Sequence, residues 1–186
     1  MINPPAGELQ MLGIHYKTDK AWRHFYMDIY ESFLRDRRND IKHVLELGVL
    51  GGASLRMWRD YFPNAIVTGL DNDPKCAQIE EKRIEIRLGD VSRLETFDQF
   101  PDDHFDVIVD DASHHPAHQI TALCFLWPKL KQNGIYFIED IGYTHRNWEQ
   151  WFEVLQPQIF YTHKTLWSVL MVFDKKRIPR LGKEKP

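Results

Sequence analysis

From Asp40 onward the chain alternates short apolar runs with segments of helical period. The runs IKHVLEL (41–47), AIVTGL (65–70), IEIRL (84–88), FDVIVD (105–110) and GIYFIE (134–139) have the length and β-branched content of buried strands. Between them, SLRMWRDYF (54–62), PKCAQIEEK (74–82), a short segment around 93–99 and PAHQITALCFLWPKL (116–130) read as helices. Such alternation predicts a parallel sheet with helices on both faces. Pro74 and Pro116 suit a first helical turn, where a missing N–H costs nothing, and Gly134 reads as the stop after a basic helix end. The C-terminal part differs. WEQWFEVLQ (148–156) reads as a helix, and QIFYTHK (158–164) and LWSVLMVFDKK (166–176) as two strands with almost no linker. So short a connection requires antiparallel pairing. The fold class expected is α/β, a mostly parallel seven-stranded sheet closed by a C-terminal antiparallel hairpin.

Upstream, residues 1–13 hold prolines and glycines and read as a lead-in arm, whereas residues 20–37 place Trp22, Phe25, Tyr26, Ile29, Tyr30, Phe33 and Leu34 at helical spacing. The expected organisation is a single domain over 1–186. In it, 1–40 form an arm and helix, 41–176 the core, and 177–186 a basic tail.

Composition narrows the classes. Within 186 residues, 43% are hydrophobic and 27% charged, with a net charge of −3, as in a soluble globular domain. That balance gives no case for nucleic acid or an acidic membrane as partner. No apolar run approaches the roughly 20 residues that span a bilayer. MINPPAGELQ lacks the basic-then-apolar pattern of a signal peptide. Cys76 and Cys124 are far apart without metal spacing, and the simple reading is a reduced cytoplasmic protein, with a single bridge left open.

In an open α/β sheet, ligands bind beyond the carboxyl ends of the strands. The first strand ends ELGVLGGAS, which supplies Glu46, Gly48, Gly51, Gly52 and Ser54. Its glycines permit close backbone approach, and the following helix offers free N–H groups. The second strand ends GLDNDP, placing Asp71 where an acid takes ribose hydroxyls; the third ends LGD, where Asp90 can accept from an adenine amine. An adenosine cofactor is expected, although Asp71 and Asp90 would also serve as helix N-caps. Asp110 and Asp111 end the fourth strand, Glu139 and Asp140 the fifth. Carboxylates converging at one rim repel unless something compensates. A divalent cation is the economical compensator, and oxygen ligands favour Mg²⁺, Ca²⁺ or Mn²⁺. His114, three residues beyond Asp111, is placed as a general base for a hydroxyl on that metal. The alternative makes these acids helix caps and His114 a surface residue. His115, His118, His24, His43, His104 and His163 carry no special reading. His145, after the fifth strand, could line the substrate side.

Taken together, ELGVLGGASLRMWRDYFPNAIVTGLD, LGD, FDVIVDDASH and GIYFIEDI resemble the class I S-adenosylmethionine (SAM)-dependent methyltransferases. More narrowly, they resemble the metal-dependent sugar O-methyltransferases of the mycinamicin and methylmannose-polysaccharide type. The upstream HYKTDKAWRHFYMDIYESF resembles that group's Thr-Asp-Lys segment, so the likeness covers about residues 13–173. It implies a Rossmann-like class I methyltransferase fold, with SAM and Mg²⁺ as cofactors. Asp111, Glu139 and Asp140 match the group's Mg²⁺ ligands and His114 its general base. Glu46, Gly48, Asp71 and Asp90 match cofactor positions; Ser54 and Asp110 are assigned to the same cofactor site. Tyr16, Thr18 and Lys20 lie in the segment that closes over the cofactor. Ala112 stands where the group often has glycine, and the long N-terminal domain of the mycinamicin enzyme is expected to be lacking.

The expected activity is therefore Mg²⁺-dependent O-methylation of a sugar or glycoside hydroxyl, on a small-molecule or oligosaccharide acceptor. The rivals are a catechol-like or other diol acceptor, a NAD-dependent oxidoreductase, a non-catalytic cofactor-binding module and a metal-dependent hydrolase. A homodimer is also expected; Trp148, Trp151 and Phe152 on the late helix either form its surface or pack on the sheet.

Overall fold

The computed structural model describes residues 7–141, 156–162 and 168–177. Seven strands form one sheet: β1 (His43–Leu47), β2 (Ile66–Asp71), β3 (Ile84–Leu88), β4 (Phe105–Asp110), β5 (Leu130–Ile138), β6 (Gln158–Tyr161) and β7 (Val169–Asp174). Their order is β3-β2-β1-β4-β5-β7-β6. The first five in that order pair parallel, β7 runs antiparallel to β5, and β6 is antiparallel to β7. The sheet is thus the mostly parallel one with an antiparallel end that the hydrophobic pattern predicts. Chain order reverses between β1 and β4, which makes the carboxyl end of β1 the switch point where ligands bind.

Strand alternation sorts the core. Val44, Val67, Val107, Val109, Ile135, Phe137 and Val172 pack on one face with Leu9, Met27, Tyr30, Leu55 and Trp58. Leu45, Leu47, Leu70, Ile108, Tyr136, Ile138 and Met171 pack on the other with Phe97, Leu123 and Leu126. The first face is covered by α1 (Glu8–Tyr16), α3 (Met27–Leu34) and α4 (Ala53–Tyr61), the second by α5 (Pro116–Leu126). The same period of two assigns the acids. Glu46 follows Val44, Asp111 follows Val109 and Glu139 follows Phe137, so all three belong to the α1/α3/α4 face, while Asp110 follows Ile108 onto the other.

Several expectations are corrected. The stretch taken as a lead-in arm is helical from Glu8, because Leu9 and Gly13 are buried, and Gly13 lets the side chains of Ala21 and Met27 approach. The 20–37 segment is not one helix. A four-residue helix, α2 (Asp19–Trp22), ends before α3, and Phe25 between them has φ 60°. That break frees His24 and Tyr26 from the helical repeat, and both reach Asp140. The helices expected at 74–82 and 93–99 are short 3₁₀ turns, Pro74–Ile79 and Leu94–Gln99. Gly134 lies inside β5, next to an irregularity in the β4–β5 register, rather than at a helix stop. Both cysteines are free, Cys76 buried and Cys124 exposed. Among the described residues no helix is long and apolar enough to cross a membrane. The helix expected at 148–156, its dimer surface at Trp148, Trp151 and Phe152, His145, His163 and most of the tail lie outside the described residues.

Gly48 is where the backbone demands glycine. Its φ is 90°, and a Cβ there would stand 2.3 Å from the carbonyl oxygen of Asp111. Gly48→Ala is expected to lower unfolding free energy by about 2 kcal/mol in urea titration, since both strain and a backbone clash oppose it.

Candidate active site

Two contiguous cavities open at the carboxyl ends of β1, β2, β3 and β4. The larger, about 470 Å³, is lined by Lys17–Lys20, the Gly48–Ser54 turn, Asp71, Asp111, His114 and Asp140. The smaller, about 340 Å³, is lined by Asp71, Asn72, the Gly89–Ser92 turn, Ser113 and His118. Gly48, Asp71 and Ala112 line both, so the two form one elongated cleft across the switch point.

Asp71 organises its centre. Its Oδ2 accepts from the N–H of Val49 at 2.8 Å and Leu50 at 3.3 Å, and its Oδ1 from Asp73 N–H at 2.9 Å. Burial opposes ionisation, but these backbone donors hold the carboxyl below its usual range. Asp71 therefore fixes the glycine turn as well as facing the cleft. Asp90 accepts from Ser92 N–H at 2.9 Å in a local turn, so it is not a helix cap.

The acid rim is built around a cation that the sequence reading assigned elsewhere. The Lys20 side chain, only 1% exposed, places Nζ 3.2 Å from Glu46 Oε1 and 3.0 Å from Glu139 Oε1, and bonds directly to Asp111 Oδ2. Burial works against its charge, yet Asp111, Glu139 and Glu46 outweigh that and hold the ammonium well above the usual lysine range. One ammonium does not neutralise three carboxylates. Burial, with the charge of Asp111, pushes Glu139 upward and Glu46 up to about 7. Tyr30 adds a hydroxyl donor to Glu139 Oε1, and its own pKa is driven up by burial and by Glu139.

Asp140 belongs to a second layer. Its φ of 54° breaks the strand alternation. Its Oδ1 accepts from the Tyr26 hydroxyl at 2.7 Å and lies 3.2 Å from His24 Nδ1. His24 also meets Ser168 Oγ at 2.9 Å and, through Nε2, Asp19 Oδ2 at 3.6 Å. Burial opposes the imidazolium, but Asp140 and Asp19 raise His24 to about 9. His114, φ 54°, is exposed, with Nε2 3.8 Å from Asp111 Oδ1. Left-handed backbone at both His114 and Asp140 concentrates strain at this rim.

The ligand atoms of Asp111, His114 and Asp140 all lie within 4.8 Å of one another, a span one divalent ion can bridge. The two carboxylates offer the oxygen donors that suit Mg²⁺ or Mn²⁺, with the His114 imidazole beside them, so the residues present fit a metal. Glu139 stands apart from that group, with Oε1 committed to Lys20 and Tyr30. Of the residues expected at the cofactor, Thr18, Gly48, Ser54, Asp71 and Asp90 line the cleft. Three do not line either cavity. The Tyr16 hydroxyl is captured by Asp60 and by Arg59 at 3.2 Å, Glu46 is wholly buried against Lys20, and Asp110 is buried on the opposite face, pushed up to about 7 by burial. Sequence reasoning missed the structural parts of Lys20, His24, Tyr26 and Tyr30. For Lys20 the signal existed: a lysine in a segment opposite an excess of strand-end acids.

A parallel sheet with a switch point, a glycine turn and an acid at the next strand end define the α/β class that binds a nucleotide-type cofactor. Within that class the chain belongs to the methyltransferase domain family, whose model matches residues 45–141. It is 36% identical over 144 residues to the mycinamicin VI 2''-O-methyltransferase of Micromonospora griseorubida, covering 72% of this chain and 36% of that protein. It is 35% identical over 146 residues to the 8-demethyl-8-(2-methoxy-alpha-L-rhamnosyl)-tetracenomycin-C 3'-O-methyltransferase of Streptomyces olivaceus, covering 73% of this chain and 37% of that one. The chain thus spans little more than a third of these relatives. The structure of MycE, a methyltransferase of the mycinamycin biosynthetic pathway in complex with Mg, S-adenosylhomocysteine (SAH) and mycinamycin VI, superposes with TM-score 0.78 at 26% identity. The match covers 98% of this chain and 58% of MycE.

The His24 pair makes a pH prediction. A folded-state pKa raised to about 9 from 6.5 means His24 contributes stability in full below pH 6.5, and loses it as pH rises through 9. The titrations of Glu46 and Asp110 centre near 7, below most of that window. In EDTA, the melting temperature is expected to fall between pH 7.5 and 9, and His24→Gln to flatten that slope.

Proposed function

We propose that this chain carries a SAM-dependent, Mg²⁺-dependent O-methyltransferase activity on a hydroxyl of a sugar or glycoside, with His114 as general base. The observation that carries the reading is one cavity wall shared by two kinds of group. Thr18, Gly48, Ser54 and Asp71 line it together with Asp111, His114 and Asp140. The likeness to glycoside O-methyltransferases and to a structure holding Mg and SAH supports the choice of donor and acceptor.

SAM, when bound, supplies a methyl carbon made electrophilic by its sulfonium. A divalent cation, when bound, supplies a Lewis acid that lowers the pKa of an acceptor hydroxyl. Asp111 and Asp140 would hold that ion; Glu139, adjacent to Asp140, is proposed as a further ligand on family likeness. The chain's own residues do the rest. Gly48 and Asp71, with Asp90 further along the cleft, would hold the donor. The His114 imidazole, on the exposed side of the rim, takes the acceptor's proton and returns it to solvent. Asp111, 3.8 Å from His114 Nε2, stabilises the imidazolium that results. The cleft's walls align oxygen and carbon, and such positioning supplies a substantial part of the rate gain.

The test is transfer of labelled methyl from SAM to a panel of glycosides beside catechols. Glycoside turnover is expected to stop in EDTA and to fall by about 10²–10⁴ in His114→Ala. Near-wild-type turnover in that variant would remove the base assignment, activity in EDTA the metal, and transfer to catechols alone the sugar acceptor.

A further inference from the structure

The position of Lys20 has a consequence for metal binding that goes beyond neutralising the rim. Asp111 is divided between two neighbours: Oδ2 bonds Lys20, while Oδ1 faces His114 in the group that fits a divalent ion. Glu139, one residue from Asp140, is likewise held by Lys20 Nζ at 3.0 Å. A tethered monovalent cation therefore sits on the carboxylates from which a mobile divalent one would draw. Lys20 is also buried, so little water screens the two charges from each other.

We propose that Lys20 is a tethered counter-cation that holds Asp111 and Glu139 in the metal-free protein and competes with the divalent ion for them, setting the threshold at which metal binds. This rests on the metal reading above and adds to it a residue that opposes the ion rather than binding it. Lys20 belongs to the 17–20 segment that lines the cleft. It is a positioning residue, not a catalytic one: it acts through Asp111 and Glu139.

The test is calorimetric titration of Mn²⁺ and Mg²⁺ into the full chain and into Lys20→Met, which keeps length and loses charge. Both ions are expected to bind the variant about tenfold more tightly or better, because a repelling charge is gone. The variant's melting temperature should also depend more steeply on Mg²⁺ than that of the wild type. A purely structural lysine would lower stability and leave affinity unchanged or weaker, and that result overturns the proposal while leaving the metal reading intact. Binding by the variant alone supports the competition and overturns the metal dependence proposed for the wild type. Binding by neither overturns both. If Lys20→Met does not fold with or without Mg²⁺, the wild type decides. The Lys20 ammonium resonance in ¹⁵N-lysine-labelled protein, assigned by its loss in Lys20→Arg, should shift when Mg²⁺ is added, and a signal that stays in place overturns the competition.

Discussion

Buried carboxylates on one face of a sheet cannot all ionise without a cation among them, and the arrangement of this site follows from that constraint. Glu46, Asp111 and Glu139 follow valines or a phenylalanine of the apolar face by the strict period of two, so their side chains enter a region otherwise filled by Tyr30, Trp58 and Phe137. The Lys20 ammonium meets all three. Removing one partner of such a cluster costs about 3–5 kcal/mol, because it strands the others. That cost is what fixes the segment around Lys20 over the carboxyl ends of the strands.

The N-terminal segment is accordingly part of the site rather than a cover laid over it. Lys20, His24, Tyr26 and Tyr30 all come from residues 20–30, and each contacts a strand-end acid. A continuous helix through 20–37 would present its side chains at a repeat of 3.6 residues. The break at Phe25 abandons that repeat, and α2 and α3 become two short pieces whose polar side chains converge on β4 and β5. Positive φ at Phe25, His114 and Asp140 is the backbone counterpart of this convergence.

Much of this was legible in the sequence, and the boundary is physical. The strands of the parallel sheet, the antiparallel end and the cleft residues Gly48, Asp71 and Asp90 follow from short-range pattern, because strand ends and switch points are set by local chemistry. The sequence also marked the crowd of acids as needing a cation. It did not say which cation, since the contact between Lys20 and Asp111 spans 91 positions and depends on how a helix pair docks. The same limit explains Tyr16: its place in the segment is right, but a long-range Asp60–Arg59 pair takes its hydroxyl. Asp110 and Asp111 look alike as neighbours at a strand end. Period-two alternation separates them, one into the cleft and one into the opposite core.

One experiment decides whether the cofactor cleft and the acid rim form a single site: anomalous diffraction from crystals grown with SAH and Mn²⁺. A manganese peak against Asp111 and Asp140, with the homocysteine product spanning from the Lys17–Lys20 wall to Asp90, is the predicted result. An ion bound away from that rim, or the product bound anywhere but across Gly48 and Asp71, would contradict it.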